Sequence, residues 1–182
     1  MTGTGRLVAV VGASGVGKDS LIRALVRAAP HLVPVRRVIT RAPGLGGEDY
    51  IAVSEAEFRV REAAGAFCLC WAAHGLRYGI PAGVAADVSA GGGRIANLSR
   101  SVLAEAAAVF PRLAVLNVTA RPDTLARRLR GRGREDAGEI ARRLARAAAP
   151  LPPGIAAHPV ENDGPIEDTV ARALALLAAD HA

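Results

Sequence analysis

The sequence predicts an α/β domain: a mostly parallel sheet held between two layers of helices. Two observations carry this. Short apolar runs alternate with segments of helical period along the whole chain. The first run ends in a glycine-rich turn that opens directly into an amphipathic helix, a junction at which open parallel sheets place their ligand sites. The 182 residues suit one compact domain.

The elements follow in order. Arg6 to Val11 is a buried parallel strand, apolar throughout because both its faces are to be covered. After the glycine turn, Leu21, Ile22, Leu25 and Val26 recur at helical spacing, and Pro30 stops that helix. Val33 to Thr40 is rich in β-branched residues and extended. Arg41 to Asp49 is a Pro/Gly-rich loop, and Ser54-Glu55-Ala56-Glu57 is a capping box that starts a helix running to Ala64. Ala66 to Trp71 is a strand, and His74 to Gly79 a polar turn into another. Pro81 opens a helix that ends near Gly91-Gly92-Gly93. Arg94 to Leu98 is the second core strand, followed by a helix from Ser101 to Val109 that Pro111 closes. Leu113 to Val118 is the third core strand, and Arg121 to Arg130 a helix with Leu125 and Leu129 on one face. Gly131-Arg132-Gly133-Arg134 is a basic loop, Asp136 to Ala148 a helix, His158 to Glu161 the last strand, and Pro165 begins the C-terminal helix. The expected organisation is one domain with a core of residues 1–34 and 80–182, an insertion at 35–79 and a lid at 131–138.

Composition narrows the function classes. Apolar residues make up 51% of the chain and aromatics only 3%, so the core must be aliphatic. No apolar run approaches the roughly 18 residues of a membrane span, and Leu7 to Val11 is too short for a signal peptide. The expectation is a cytoplasmic protein with no membrane partner. Cys68 and Cys70 read as small buried hydrophobes, since two thiols are too few for a closed zinc site. The net charge is +6, but few aromatics are available for base stacking and no nucleic-acid motif is present, so no nucleic-acid partner is expected. Phosphorylated small substrates account better for part of that charge. Of 23 basic residues one alone is lysine, Lys18. A chain that uses arginine everywhere else keeps a compact ammonium there.

Lys18 closes Gly12-Ala13-Ser14-Gly15-Val16-Gly17-Lys18, a P-loop in its proper context of strand before and helix after. Such a loop cradles phosphates on backbone N–H groups and a helix N-terminus, and the lysine neutralises charge as a terminal phosphoryl group leaves. The cofactor this implies is ATP with Mg²⁺. The motif ordinarily ends in Ser or Thr, whose hydroxyl ligates the ion; here the position is Asp19, followed by Ser20. Asp19 holds the ion, or Ser20 does, or Asp19 serves the acceptor side. Arg132 and Arg134 in the basic loop, with Arg143 on the next helix, fit a lid that clamps the transferring phosphoryl group and excludes water. Arg41, Asp49, Tyr50 and Tyr78 mark the insertion as the acceptor side, whereas Trp71 and His74 read as packed or exposed.

Taken together, these residues resemble the guanylate kinase-like family of P-loop kinases and, within it, the ribose 1,5-bisphosphate phosphokinases of phosphonate breakdown. The resemblance rests on Gly12 to Leu21, Val38-Ile39-Thr40-Arg41, Gly47 to Tyr50 and Trp71 to Pro81. Asn97 to Arg100, Gly131 to Glu135 and Asn162 to Pro165 complete it. It implies a three-layer α/β/α fold with an acceptor-binding insertion and a lid. It implies phosphorylation of ribose 1,5-bisphosphate by ATP to 5-phosphoribosyl 1-diphosphate, with a phosphorylated sugar as the small-molecule partner. A homodimer is compatible with it. Guanylate kinases read guanine with a Glu before the Trp of the insertion and an Asp at the end of the next core strand; this chain has Cys70 and Asn97 there. The phosphate-facing Arg41, Tyr50 and Tyr78 remain, and Arg77 or Arg100 would stand in for a second arginine absent near Gly44. The rival expectations are a kinase acting on GMP and a non-catalytic interaction module of the same fold.

Overall fold

The computed structural model describes residues 5–45, 47–131 and 150–180; for 130 and 131 it describes the backbone alone. The chain forms β1 (Arg6–Gly12), α1 (Lys18–Ala28), β2 (Leu32–Pro34), β3 (Val38–Ile39), β4 (Ile51–Ala52), α2 (Glu55–Ala63), β5 (Phe67–Ala73) and β6 (Leu76–Pro81). Then come α3 (Gly83–Ser89), β7 (Gly93–Asn97), α4 (Leu103–Val109), β8 (Leu113–Thr119), α5 (Pro122–Gly131), β9 (His158–Glu161) and α6 (Ile166–Ala179).

The expected fold class is the one observed. Five strands in the order β2-β7-β1-β8-β9 form a wholly parallel sheet. Strand β1 runs through its middle, and its alternate residues feed two cores. Val8 and Val10 pack with Leu21 and Leu25 of α1 and Ala173 and Leu177 of α6. Leu7, Ala9 and Val11 pack with Val84 and Val88 of α3, Leu103 of α4 and Phe110. Both faces are thus covered, which is why β1 carries no polar residue between Leu7 and Val11. From β1 the chain crosses to the edge strand β2, returns to β7 beside β1, and then passes to β8 and β9 on the other side of β1. That order reversal opens a crevice at the carboxyl ends of the strands.

A second sheet, β4-β3-β6-β5, stands beside the first. Its own small core holds Val38, Val53 and Phe58, with the Phe58 and Phe67 rings stacked at 4.8 Å. The expected extended run Val33 to Thr40 is divided between the two sheets. Leu32–Pro34 pairs with β7, and Val38–Ile39 pairs with β6 and β4. Pro81 closes β6 instead of opening a helix, so α3 starts two residues further on. A single 3-10 turn at Arg100–Val102 precedes α4. Ser54 caps α2 as its motif requires, its Oγ accepting the Glu57 N–H at 3.1 Å. Gly131, expected to open the basic loop, is instead the last residue of α5; the rest of that loop and the helix Asp136 to Ala148 lie outside the described residues. Among the described residues no helix is long and apolar enough to cross a membrane.

Candidate active site

The glycine loop occupies the crevice. It leaves β1 at Gly12 and enters α1 at Lys18, turning through left-handed backbone at Gly15 and Gly17. A Cβ on Gly17 would lie 2.5 Å from Nδ2 of Asn162, so glycine is required there by space as well as by φ. Asn162, buried just beyond β9, donates to the Val16 carbonyl at 2.7 Å and accepts from Thr169 at 3.1 Å. Arg128 on α5 donates to the same Val16 carbonyl at 3.2 Å and to that of Asn162 at 2.9 Å. The loop is therefore held from α5, α6 and the end of β9, all distant in sequence.

Lys18 folds back on the loop, donating from Nζ to the carbonyls of Gly12 at 2.8 Å and Ala13 at 2.9 Å. Burial pushes its ammonium down to about 8; Asp19 and Glu48 partly offset this, while Arg37 and Arg100 add to it. A phosphate arriving here meets an ammonium that burial has left short of negative partners.

Cavities lined by described residues surround the loop. One of about 420 Å³ is lined by Gly15, Gly17, Ser20, Arg128, Asn162 and Gly164. A second, also about 420 Å³, runs from Gly12-Ala13-Ser14 and Lys18 past Arg37 and Asn97 to Trp71, His74, Tyr78 and Arg100. The third, about 630 Å³, brings Lys18, Asp19 and Ser20 together with Arg23, Arg37, Arg41 and Glu48. The second and third share Ser14, Lys18, Arg37 and Asn97.

The sequence-derived residues distribute unevenly. Lys18, Asp19, Ser20, Arg41, Tyr78 and Asn97 line these cavities. Asp49 instead pairs with Arg36 at 2.9 Å on the surface, and Arg77 pairs with Glu55 at 3.0 Å and Glu62 at 2.9 Å. Tyr50 donates its hydroxyl to the Ala42 carbonyl and lies under the Arg41 guanidinium, closing its own loop. None of these three lines a cavity described above. Arg132, Arg134 and Arg143 fall outside the described residues.

Sequence reasoning missed Arg37, Glu48 and Trp71. The Trp71 and Tyr78 rings stack at 5.2 Å with 5° between planes, and the Arg37 guanidinium lies over both. The sequence carried little signal for Arg37: it lies in the irregular link between β2 and β3, where strand alternation does not fix the side a residue faces. The thiol of Cys70 is pushed up to about 11 by burial and then by Glu62, which keeps it a neutral small side chain.

Asp19 and Ser20 lie side by side at the start of α1 and offer a carboxylate and a hydroxyl to the third cavity. Among the described residues no group of three or more His, Cys, Asp or Glu could hold a metal. That donor set fits an ion carried largely by nucleotide phosphates and water, as Mg²⁺ is. Asn97 donates from Nδ2 to Oδ1 of Asp19 at 2.9 Å, which ties this carboxylate to the far wall.

No family model matches the chain. It is 52% identical over 179 residues to the ribose 1,5-bisphosphate phosphokinase PhnN of Ruegeria sp. (strain TM1040), covering 98% of this chain and 94% of that one. The protein of the same name from Agrobacterium fabrum is 47% identical over 165 residues, covering 89% and 90%. Among solved structures, guanylate kinase from Anaplasma phagocytophilum superposes with a TM-score of 0.68 over 98% of this chain and 87% of that one. At 19% identity it speaks for the fold alone. On identity of this extent, with a lysine-centred phosphate loop facing an arginine-lined crevice, the chain belongs to the ribose 1,5-bisphosphate phosphokinase family.

Proposed function

We propose that the chain transfers the terminal phosphoryl group of ATP to the 1-phosphate of ribose 1,5-bisphosphate, giving ADP and 5-phosphoribosyl 1-diphosphate. The observation that carries this is one cavity holding Lys18, Arg23, Arg37 and Arg41 against Asp19 and Glu48, a net positive site in which donor and acceptor phosphates can meet. An oxygen of the acceptor's 1-phosphate attacks the γ-phosphorus, and the bond to the β–γ bridging oxygen breaks. That nucleophile is already ionised at neutral pH, so the site needs no general base.

The residues then act by position and charge. Gly12 to Gly17 receive the triphosphate. Lys18 leaves the Gly12 and Ala13 carbonyls to bridge the β- and γ-phosphates. The nucleoside lies in the cavity of Arg128, Asn162 and Gly164. Mg²⁺, when bound, neutralises phosphate charge, and Asp19 and Ser20 are the residues that would hold it. Arg41 and Tyr78 face the acceptor, and the arginines of 131–138 with Arg143 close over the reaction as a lid. Residues 35–79 serve as the acceptor-binding insertion, and the setting is the cytoplasm.

A phosphoryl-acceptor screen with labelled ATP tests the reading. Ribose 1,5-bisphosphate should be phosphorylated and GMP should not. Rapid GMP turnover would replace this reading with a nucleoside monophosphate kinase. An absence of ATP binding in calorimetry would leave a non-catalytic module.

A further inference from the structure

One buried charge is given no task of its own in the mechanism above beyond its share of the cavity's positive charge. Arg37 is only 7% exposed, yet it lines both of the cavities that meet at Lys18. A guanidinium so far from solvent is costly unless each of its faces finds a partner. Several partners are strand residues. Nη1 donates to the carbonyl of Asn97, the last residue of β7, at 3.0 Å. Beneath the guanidinium lie the rings of Tyr78 on β6, at 5.0 Å, and Trp71 on β5, at 5.9 Å. Glu48 differs, because it comes from the loop between β3 and β4. Its carboxylate accepts from Nε at 3.0 Å and from Nη2 at 2.5 and 2.6 Å. The same carboxylate stands 3.7 Å from Nη1 of Arg41.

Two consequences follow from this geometry. The guanidinium lies over the aromatic pair, so a flat nucleobase could stack on that face only by displacing Arg37. In addition, one carboxylate bridges two guanidiniums and leaves one positive charge over. A phosphate, with three oxygens and up to two charges, meets that pair more fully than a carboxylate does.

We propose that Arg37 is the residue that selects a bisphosphate acceptor: it binds the phosphate that is not attacked, and Glu48 holds that place until the acceptor displaces it. This rests on the kinase reading above and names the group by which that site tells a sugar bisphosphate from a nucleotide. Arg37 is positioned from the strands and stays; Glu48 is an internal competitor for the ligand.

Steady-state kinetics with ATP and ribose 1,5-bisphosphate on the wild type, Arg37→Gln and Glu48→Gln test the proposal, with ADP calorimetry to check the nucleotide site. Arg37→Gln should raise the acceptor KM about 10- to 100-fold, the loss of a charge-assisted pair, and leave ADP affinity unchanged. Glu48→Gln should lower the acceptor KM severalfold. Opposite signs from the two halves of one ion pair are the signature, since breaking a merely structural bridge from either side would move KM the same way. A level or higher KM in Glu48→Gln overturns the proposal, as does an unchanged KM in Arg37→Gln. Should Arg37→Gln fail to fold, Glu48→Gln decides alone by the same criterion. Failure of the wild type to turn over ribose 1,5-bisphosphate would refute the kinase reading itself and take this proposal with it.

Discussion

Replacing Lys18 with methionine should abolish turnover and, in the nucleotide-free and metal-free protein, remove a pH dependence of stability. The ammonium is held at about 8 in the folded protein against 10.5 as its ordinary value, chiefly by burial. Below pH 8 it is charged in both folded and unfolded states, and the folded state carries the whole penalty. Between about 8 and 10.5 the folded protein has released the proton while the unfolded chain keeps it. The unfolded state then binds more protons, so stability rises with pH. A shift of two and a half units, the difference of those two values, corresponds to about 3 kcal/mol at most. Most of this, about 2 to 3 kcal/mol, is recovered between pH 7 and 10.

The assay is urea unfolding of wild type and Lys18→Met across that range with chelator present, so that every other titrating group cancels in the difference. The wild type should gain the stated 2 to 3 kcal/mol on the variant from pH 7 to 10. At pH 7 the variant loses two hydrogen bonds to the Gly12 and Ala13 carbonyls, worth about 1 kcal/mol each. It is relieved of the larger penalty, and should be no less stable than the wild type. Turnover should fall by at least about 10²-fold, the cost of losing one group that stabilises transition-state charge. A stability difference flat with pH to within about 0.5 kcal/mol would refute the burial argument, whatever happened to turnover.

Gly17→Ala should cost about 2 to 3 kcal/mol, from left-handed backbone and from pressing on Asn162, and lower Tm by about 5 to 10 °C; a melt within 2 °C of wild type would contradict it. Ser54→Ala removes the acceptor of the Glu57 N–H and should cost about 1 kcal/mol without altering kinetics, checked by denaturant titration and initial rates.

How much of this was legible in the sequence differs with the range of the interactions concerned. Strand β1 and the glycine loop were plain because their signals are local: an apolar run, then glycines at fixed spacing, then a helix. Lys18 stood out through composition alone, as the one lysine of the chain. Arg37 did not, because it is one arginine among many. Its burial depends on Glu48, Asn97, Trp71 and Tyr78, four residues from four separate segments. Asp49 shows how narrow the margin is. It lies next to Glu48, but its carboxylate turns outward to Arg36 while Glu48 turns inward. Glu48 sits at a bend in the loop between β3 and β4, so no periodicity in the sequence reports which of the two neighbours turns inward. The division of Val33 to Thr40 between two sheets was equally hidden, since β-branched composition reports extension and not the partner.

Asp19 and Asn97 each looked like a separate departure, one from the P-loop motif and one from the guanine-reading carboxylate. The structure joins them, since the Asn97 amide donates to the Asp19 carboxylate at 2.9 Å. With Asp at both positions two carboxylates would meet at that distance, and one would have to take up a proton or move away. An aspartate in the phosphate loop therefore requires a neutral donor at the end of β7, and a carboxylate there requires a neutral residue in the loop. The two positions should behave as a unit in a double-mutant cycle. Asn97→Asp alone should destabilise the unliganded protein by about 1 to 2 kcal/mol, and adding Asp19→Ser should recover most of that loss. Because the stability of the unliganded protein is the readout, the result is independent of which substrate the site takes. Additive effects at the two positions would mean that their contact carries no energy and that the two departures arose without reference to each other.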